Sequence, residues 1–313
     1  MAHQQEPPLS LNPIAAGALI AVLAPAGPAQ PEHLAAVAPL YARWGYRVRL
    51  YPSCRASTGY LAGPDTLRLA DLHAALADDD VAAVHCLRGG YGAMRLLDGI
   101  DADLLRRKPK LLIGYSDITA LHALWCHHGL PSLHAPMPAS DLIKPGREDD
   151  EAALFHLLRH GLRAGDVLAP ELQPCPLGAP GRAAGRLIGG NLSLVAALLG
   201  TPWAWDARGA ILFLEDVNEE LYRVDRLLTQ LRLAGVLDAA AGFLLGSFTE
   251  EASPMDLLRQ TLLPICARQG KPLLAGWPSG HGTPNRPLPM GLRVALDADA
   301  GTLTLQDDLL QAK

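Results

Sequence analysis

The chain has 313 residues, enough for two domains that each bury a core. Its 49% hydrophobic and 19% charged residues are those of an ordinary globular protein, and a net charge of −5 leaves no basic footprint for nucleic acid. Five scattered cysteines, Cys54, Cys86, Cys126, Cys175 and Cys266, form no C-x-x-C pair, which argues against a disulfide scaffold and for a reducing compartment.

Residues before about 13 read as a loose tail. The apolar stretch 14–26 has no Lys or Arg before it and ends at Pro25 and Pro28, so it lacks the build of a secretory signal and is too short to span a bilayer. It reads as a first core strand over 19–24, and the protein as cytoplasmic. Pro31 opens a helix with Leu34, Val37, Leu40 and Tyr41 at helical spacing, closed by Gly45. A strand over 46–51, a loop over 52–64 and a helix over 66–77 follow. The nearly unbroken apolar run 81–87 predicts a strand covered on both faces. After Arg88-Gly89-Gly90-Tyr91-Gly92 come a helical segment through Met94 and Leu97, a short turn over 103–108, a strand over 111–114, a helix over 117–128 and a short strand over 131–134.

This alternation predicts a doubly wound parallel sheet, in which ligands bind at the carboxyl ends of the strands. Residues 151–163 form an amphipathic helix, and the Pro- and Gly-bearing stretch 164–181 reads as a linker. Beyond it lie strands at 186–188, 211–214, 243–246 and 272–275, with helices over 192–199, 221–233 and 255–268, and a terminal hairpin at 292–296 and 302–306. The expected division is an N-terminal unit over 14–163, a linker over 164–181 and a smaller α+β unit over 182–313.

The stretch Leu111-Leu112-Ile113-Gly114-Tyr115-Ser116-Asp117 places a serine between a strand and a helix. Free N–H groups at such a helix start can stabilise an oxyanion, so Ser116 reads either as a nucleophile or, with Asp117, as a helix cap. A nucleophilic serine needs a base, and the base needs an orienting group. Of eleven histidines, His127 and His128 sit at a helix end, and His156 and His160 lie four apart on a solvated face. His85 and His122 read as packed residues. His281, between two glycines in a Pro-rich loop, can project without neighbouring bulk; His134, after a strand, is its rival. Glu215 stands where an apolar strand stops, with Asp216 and Glu219 as rivals for the orienting carboxylate. The Gly89-Gly90 turn lacks both phosphate-loop spacings, and a turn that exposes N–H groups toward Ser116 fits it equally well.

Taken together, the stretches Arg88-Gly89-Gly90-Tyr91-Gly92, Ile113-Gly114-Tyr115-Ser116-Asp117, Gly189-Gly190-Asn191-Leu192, Gly200-Thr201-Pro202-Trp203, Leu214-Glu215-Asp216-Val217-Asn218-Glu219, Tyr222-Arg223-Val224-Asp225-Arg226, Leu245-Gly246-Ser247-Phe248 and Gly280-His281 resemble, in order, the LD-carboxypeptidases. These serine peptidases include muropeptide LD-carboxypeptidases and microcin C immunity peptidases. The resemblance implies a flavodoxin-like N-terminal domain, a smaller C-terminal domain, a site between them, dimers, and no metal or cofactor. It further implies a Ser116–Glu215–His281 triad with the backbone N–H groups of Gly90 and Asp117 as oxyanion hole. The implied substrate is the murein tetrapeptide, cut to release D-alanine in cell-wall recycling. Arg88 and Arg223 are candidates for its carboxylates. The immunity branch acts on aminoacyl-nucleotide amides and would need an aromatic surface for adenine; residues 164–181 contain no Trp, Tyr or Phe. A non-catalytic flavodoxin-like binding protein is the reading from another class.

Overall fold

The computed structural model describes residues 11–169, 178–249 and 255–310, with the side chains of 255–259 left aside. Residues 1–10 of the expected tail and 170–177 of the expected linker, Cys175 among them, therefore fall outside the described residues. In chain order the elements are β1 (Leu19–Leu23), α1 (Pro31–Arg43), β2 (Arg47–Leu50), α2 (Asp65–Ala77), β3 (Val81–Cys86), α3 (Ala102–Arg107), β4 (Leu111–Gly114), α4 (Thr119–His127), β5 (Ser132–His134) and α5 (Glu148–His160). There follow β6 (Val167–Leu168), β7 (Arg182–Asn191), α6 (Leu192–Ala197), β8 (Ile211–Val217), α7 (Leu221–Leu233), α8 (Val236–Ala239), β9 (Gly242–Thr249), α9 (Met255–Gln269), β10 (Leu273–Leu274), β11 (Leu288–Met290), β12 (Arg293–Asp297) and β13 (Thr302–Leu305).

Strands β2, β1, β3, β4 and β5 pair in that order, all parallel. This is the flavodoxin-like order, whose ligand crevice opens where the winding reverses, between β1 and β3. Strands β1, β4 and β5 are buried along their whole length, as a sheet covered on both faces requires. Helix α1 begins with Pro31, whose missing N–H is no loss at a first turn, and buries Val37, Leu40 and Tyr41. Helix α5 starts a turn earlier than expected, with Glu148, Asp149, Asp150 and Glu151 in its first turn and Arg159 and His160 in its last, complementing the helix dipole.

The second sheet has β10, β9, β8 and β7 parallel, continued by antiparallel β12, β13 and β6. Its mixed character agrees with the expected α+β reading, and the terminal hairpin is β12–β13. Strand β7, expected over three residues, runs for ten, because its amino half pairs with β12 and its carboxyl half with β8. Two short segments tie the sheets together: β11 adds antiparallel to β5 of the first sheet, and β6 adds to β13 of the second. No helix among the described residues is long and apolar enough to cross a membrane.

Candidate active site

The nucleophile side is built at the crevice between β1 and β3. The turn after β1 meets the turn after β3, where Gly27 N–H donates to Gly89 O at 3.1 Å. Chain β4 delivers Tyr115 in an extended conformation, and Ser116 then turns left-handed at φ 64° before a 3₁₀ turn and α4. A non-glycine residue there costs about 1–3 kcal/mol, a strain found at nucleophile turns because it lifts the hydroxyl off the sheet. Plain helix capping gives no reason for such strain. Gly89 packs directly beneath: a Cβ at that position would lie 2.9 Å from Ser116 Cβ, 3.0 Å from its Oγ and 3.5 Å from Asp117 N. Only glycine lets the Gly89-Gly90 backbone approach the hydroxyl and the Asp117 N–H together. Asp117 Oδ2 accepts from Ala93 N–H at 2.7 Å, which ties the end of the glycine turn to the 3₁₀ turn before α4. Buried Arg68 clamps the same layer by donating to the carbonyls of Pro25 and Gly92 and to Asp65.

Glu215 and His281 come from the second sheet. Glu215 is the fifth residue of β8 and is fully buried. Opposite it, β9 carries a bulge: Leu214 pairs with Leu245 and Asp216 with Phe248, so Gly246 and Ser247 face one residue. Such bulges re-aim side chains beside active sites. Here Ser247 Oγ accepts from Gly282 N–H at 2.8 Å and so holds the loop of His281. Gly280 has φ +114°, and a Cβ on it would sit 2.7 Å from Ser247 Oγ and 2.8 Å from Glu215 Oε2. Gly280 N–H donates to Asn285 Oδ1 at 3.0 Å, and Asn285 N–H to Asp150 Oδ1 at 2.9 Å. Arg147 donates to Asp150 Oδ2 at 2.9 Å and to Gly282 O at 3.1 Å. The His281 loop is thus braced by the start of α5, from the other sheet's layer.

These supports bring three side chains into line. Ser116 Oγ is 3.1 Å from His281 Nε2, and His281 Nδ1 is 2.7 Å from Glu215 Oε2. Burial lowers the basicity of His281, but the charge and hydrogen bond of Glu215 outweigh it and hold its pKa above the usual 6.5. Burial raises the Glu215 carboxyl, yet the charge of His281 and the contacts of His134 and His281 bring it down to about 2. Burial pushes Asp117 up to about 6, against the Ala93 N–H. The arrangement has the parts of an activated serine nucleophile: a hydroxyl, an imidazole and a buried orienting carboxylate.

The other sequence candidates have different places. His134 is fully buried, with Nε2 3.8 Å from Glu215 Oε1, on the far side of that carboxylate from His281. Asp216 binds Asn191 Nδ2 at 2.8 Å and Ser193 N–H at 3.0 Å, and Glu219 lies 3.5 Å from Ser193 Oγ. Arg88 donates to Pro28 O at 3.0 Å and Gly89 O at 3.3 Å, holding the glycine turn. Arg223, half-exposed in the first turn of α7, lies 3.6 Å from Glu219. His85 bonds Tyr41 Oη and Pro136 O, and His122 bonds Ser132 Oγ and Gly114 O, as packed histidines do. His156 and His160 lie with ring centroids 4.3 Å apart and tilted planes, and among the described residues no group of three or more His, Cys, Asp or Glu could hold a metal ion.

Sequence reasoning missed Tyr115, whose ring lies 4.8 Å from that of His281 and whose hydroxyl donates to buried Asp141 at 2.9 Å. It also missed Asn285 and the Arg147–Asp150 brace. Asn285, in a Gly- and Pro-rich loop, carries a turn-residue signal; Arg147 and Asp150 read only as a helix start.

Residues 20–135 match the family model of the LD-carboxypeptidase N-terminal domain, and residues 184–296 that of the LD-carboxypeptidase C-terminal domain. A probable murein peptide carboxypeptidase of Bacillus subtilis is 38% identical over 300 residues, 93% of this chain and 92% of that protein. A murein tetrapeptide carboxypeptidase of Pseudomonas aeruginosa is 37% identical over 290 residues, covering 90% and 93%. The crystal structure of a muramoyltetrapeptide carboxypeptidase from Oxalobacter formigenes superposes with a TM-score of 0.80 at 32% identity, covering 92% and 97%. The microcin C7 self-immunity protein MccF of Escherichia coli stands further off, 25% identical over 81% of this chain and 82% of its own. With both domain models matched in order, and with relatives above 30% identity along nearly the whole chain, the protein belongs to the LD-carboxypeptidase family and is a carboxypeptidase.

Proposed function

We propose that the chain hydrolyses the L,D-peptide bond that frees the terminal D-alanine of a murein tetrapeptide, through an acyl-enzyme on Ser116. The observation that carries this reading is the Ser116–His281–Glu215 line, set on a strained turn in a member of this family. Ser116 Oγ–H donates to His281 Nε2 and attacks the scissile carbonyl as the imidazole takes its proton. Glu215 accepts from His281 Nδ1–H, fixing the tautomer and stabilising the imidazolium. The backbone N–H groups of Gly90 and Asp117 receive the oxyanion, a contribution worth roughly 10²–10³-fold per donor. His281 then passes its proton to the leaving amine of D-alanine, and a water deprotonated by the same imidazole releases the acyl group. No metal or cofactor enters these steps.

Arg223, half-exposed on α7, is assigned to a substrate carboxylate; Arg88 acts chiefly by holding the Gly89-Gly90 turn. The nucleophile belongs to the unit 14–163, the stretch 164–181 links it, and Glu215 and His281 belong to the unit 182–313. A cytoplasmic homodimer completes the reading, supported by the cysteine usage and the family resemblance. No nucleic acid or membrane partner is part of it.

The test is D-alanine release from purified tetrapeptide, with Ser116→Ala as control and an aminoacyl-sulfamoyl adenosine assayed in parallel. Release that disappears in the variant is the expected result. Cleavage of the adenosine compound alone would move the chain to the immunity branch, and release by Ser116→Ala would end the serine mechanism. Sedimentation of the purified protein checks the dimer.

A further inference from the structure

The line from Ser116 to Glu215 uses only one oxygen of the carboxylate. Glu215 Oε1 is buried and has no hydrogen-bond partner among the described residues. It faces His134 Nε2 at 3.8 Å. Both ring nitrogens of His134 are likewise buried without a partner. Unsatisfied buried polar atoms are costly, and two that face each other relieve the cost by pairing. The gap is too long for a hydrogen bond, and shortening it by about 1 Å gives an ordinary N–H···O. Catalytic hydrogen bonds commonly tighten in this way when substrate binds.

The surroundings fix the ring rather than compete for it. His134 ends β5, with its ring edge-on to Phe213 at 5.0 Å between centroids. Tyr115 lies at 5.5 Å and His122 at 6.3 Å. Tyr115 gives its hydroxyl to Asp141, and His122 spends both nitrogens on Ser132 Oγ and Gly114 O. Register places His134 opposite Leu288 of β11, the strand that follows the His281 loop. Asp141 and Asp216 face His281 through charge, as acceptors only, while Arg147 faces Tyr115 and Asp141.

We propose that His134 is a positioning residue: its Nε2–H donates to Glu215 Oε1 and fixes the carboxylate with Oε2 aimed at His281. This rests on the proposed triad. The donor takes up part of the carboxylate charge and so tempers the pull of Glu215 on His281. Without it Glu215 becomes the more basic partner, the His281 imidazolium is stabilised, and the neutral base is lost at a higher pH.

The experiment uses the full chain as wild type, His134→Leu, His134→Gln and His134→Asn. The His281 Cε1–H resonance, identified by its absence in His281→Asn, is titrated by NMR, and kcat/KM is followed against pH. His134→Leu is expected to raise the His281 pKa by about half to one unit. Its acid limb moves by the same amount, so kcat/KM falls up to about tenfold below the limb and recovers on the plateau. Gln, whose amide reaches the Nε2 position, keeps the wild-type limb; Asn, too short, behaves as Leu and serves if Leu does not fold. An unmoved His281 titration in the Leu and Asn variants, or a Gln variant as shifted as they are, overturns the proposal. The NMR readout needs no substrate, so it stands apart from a failure of D-alanine release or of the Ser116→Ala control.

Discussion

The two halves of the candidate site are built in opposite ways. The nucleophile side is local: β4, the Ser116 turn and α4 are contiguous, and only the Gly89 turn must be added. The acid–base side is assembled from parts far apart in sequence, with Glu215 on β8, Ser247 on a bulge of β9, His281 in a loop and Asp150 on α5. A local device stores strain in one residue, whereas a composite one depends on several hydrogen bonds holding at once. Damage to the first should therefore remove chemistry and leave the fold, while damage to the second should come in grades.

The largest expected effect tests the local side. Ser116→Ala should lower turnover at least about 10³-fold. Its melting temperature should not fall, because alanine at φ 64° keeps the backbone strain and the part-buried hydroxyl contact to His281 is no core element. A melting temperature several degrees lower would contradict the view that this turn serves the hydroxyl alone. The next effect belongs to the composite side. Gly280→Ala puts a Cβ against Glu215 Oε2 and Ser247 Oγ at a φ of +114°. A misplacement of His281 by an ångström should cost on the order of 10² in kcat. Gly129→Ala, at φ +70° with open space around it, carries backbone strain alone and should keep full kcat while losing roughly 1 kcal/mol of stability. Equal kcat in the two alanine variants would break the comparison.

Smaller again is the brace from α5. Asp150→Ala removes the acceptor of both Asn285 N–H and Arg147, leaving Gly280 and Gly282 held by Asn285 Oδ1 and Ser247 Oγ. A loss of kcat of roughly three- to tenfold, with KM little changed, is expected from a loosened base. Steady-state kinetics on tetrapeptide checks it, and a change in KM alone would assign Asp150 to substrate binding instead.

The local half was legible from sequence and the composite half was legible only in its endpoints. Apolar runs bounded by glycine and proline located β1, β3 and β4, and the serine after Gly114 read equally as a helix cap until the collinear motifs of the rest of the chain favoured a nucleophile. The resemblance named Glu215 and His281, and the fold brings them to Ser116. What stayed hidden was non-local. The ten-residue length of β7 depends on β12 and β8 as partners, and the bulge in β9 depends on its pairing with β8. Neither leaves a periodic trace in its own segment. His134 looked like a rival base because it follows a strand; only the packing of β5 beside β8 shows that it approaches the carboxylate from behind. Asp150 read as one of four acidic residues suited to a helix start, which hid its grip on Asn285.

The finest contrast between the two halves is in their response to pH. On the composite side, Glu215 is lowered from 4.5 to about 2, so its contribution to stability is present above 4.5 and lost as pH falls toward 2. His281 is raised above 6.5, so its contribution is present below 6.5 and lost as pH rises through the folded value. The pair, which titrates as one unit, is thus most stabilising between about pH 4.5 and 6.5. On the local side, Asp117 is raised from 3.8 to about 6, so its contribution is present below 3.8 and is lost as pH rises through 6. In the proposed mechanism activity needs neutral His281 and should rise along a limb above pH 6.5, where the contribution of His281 fades and that of Asp117 is already lost. Melting curves from pH 4 to 8 read the two sides separately. Asp117→Asn should flatten the decline between pH 4 and 6, and Glu215→Gln should remove the part of the decline above 6.5. If Asp117→Asn leaves the slope untouched, burial at the serine turn is not what sets that carboxyl's affinity for its proton, and the strain at Ser116 would remain the only stored cost on the local side.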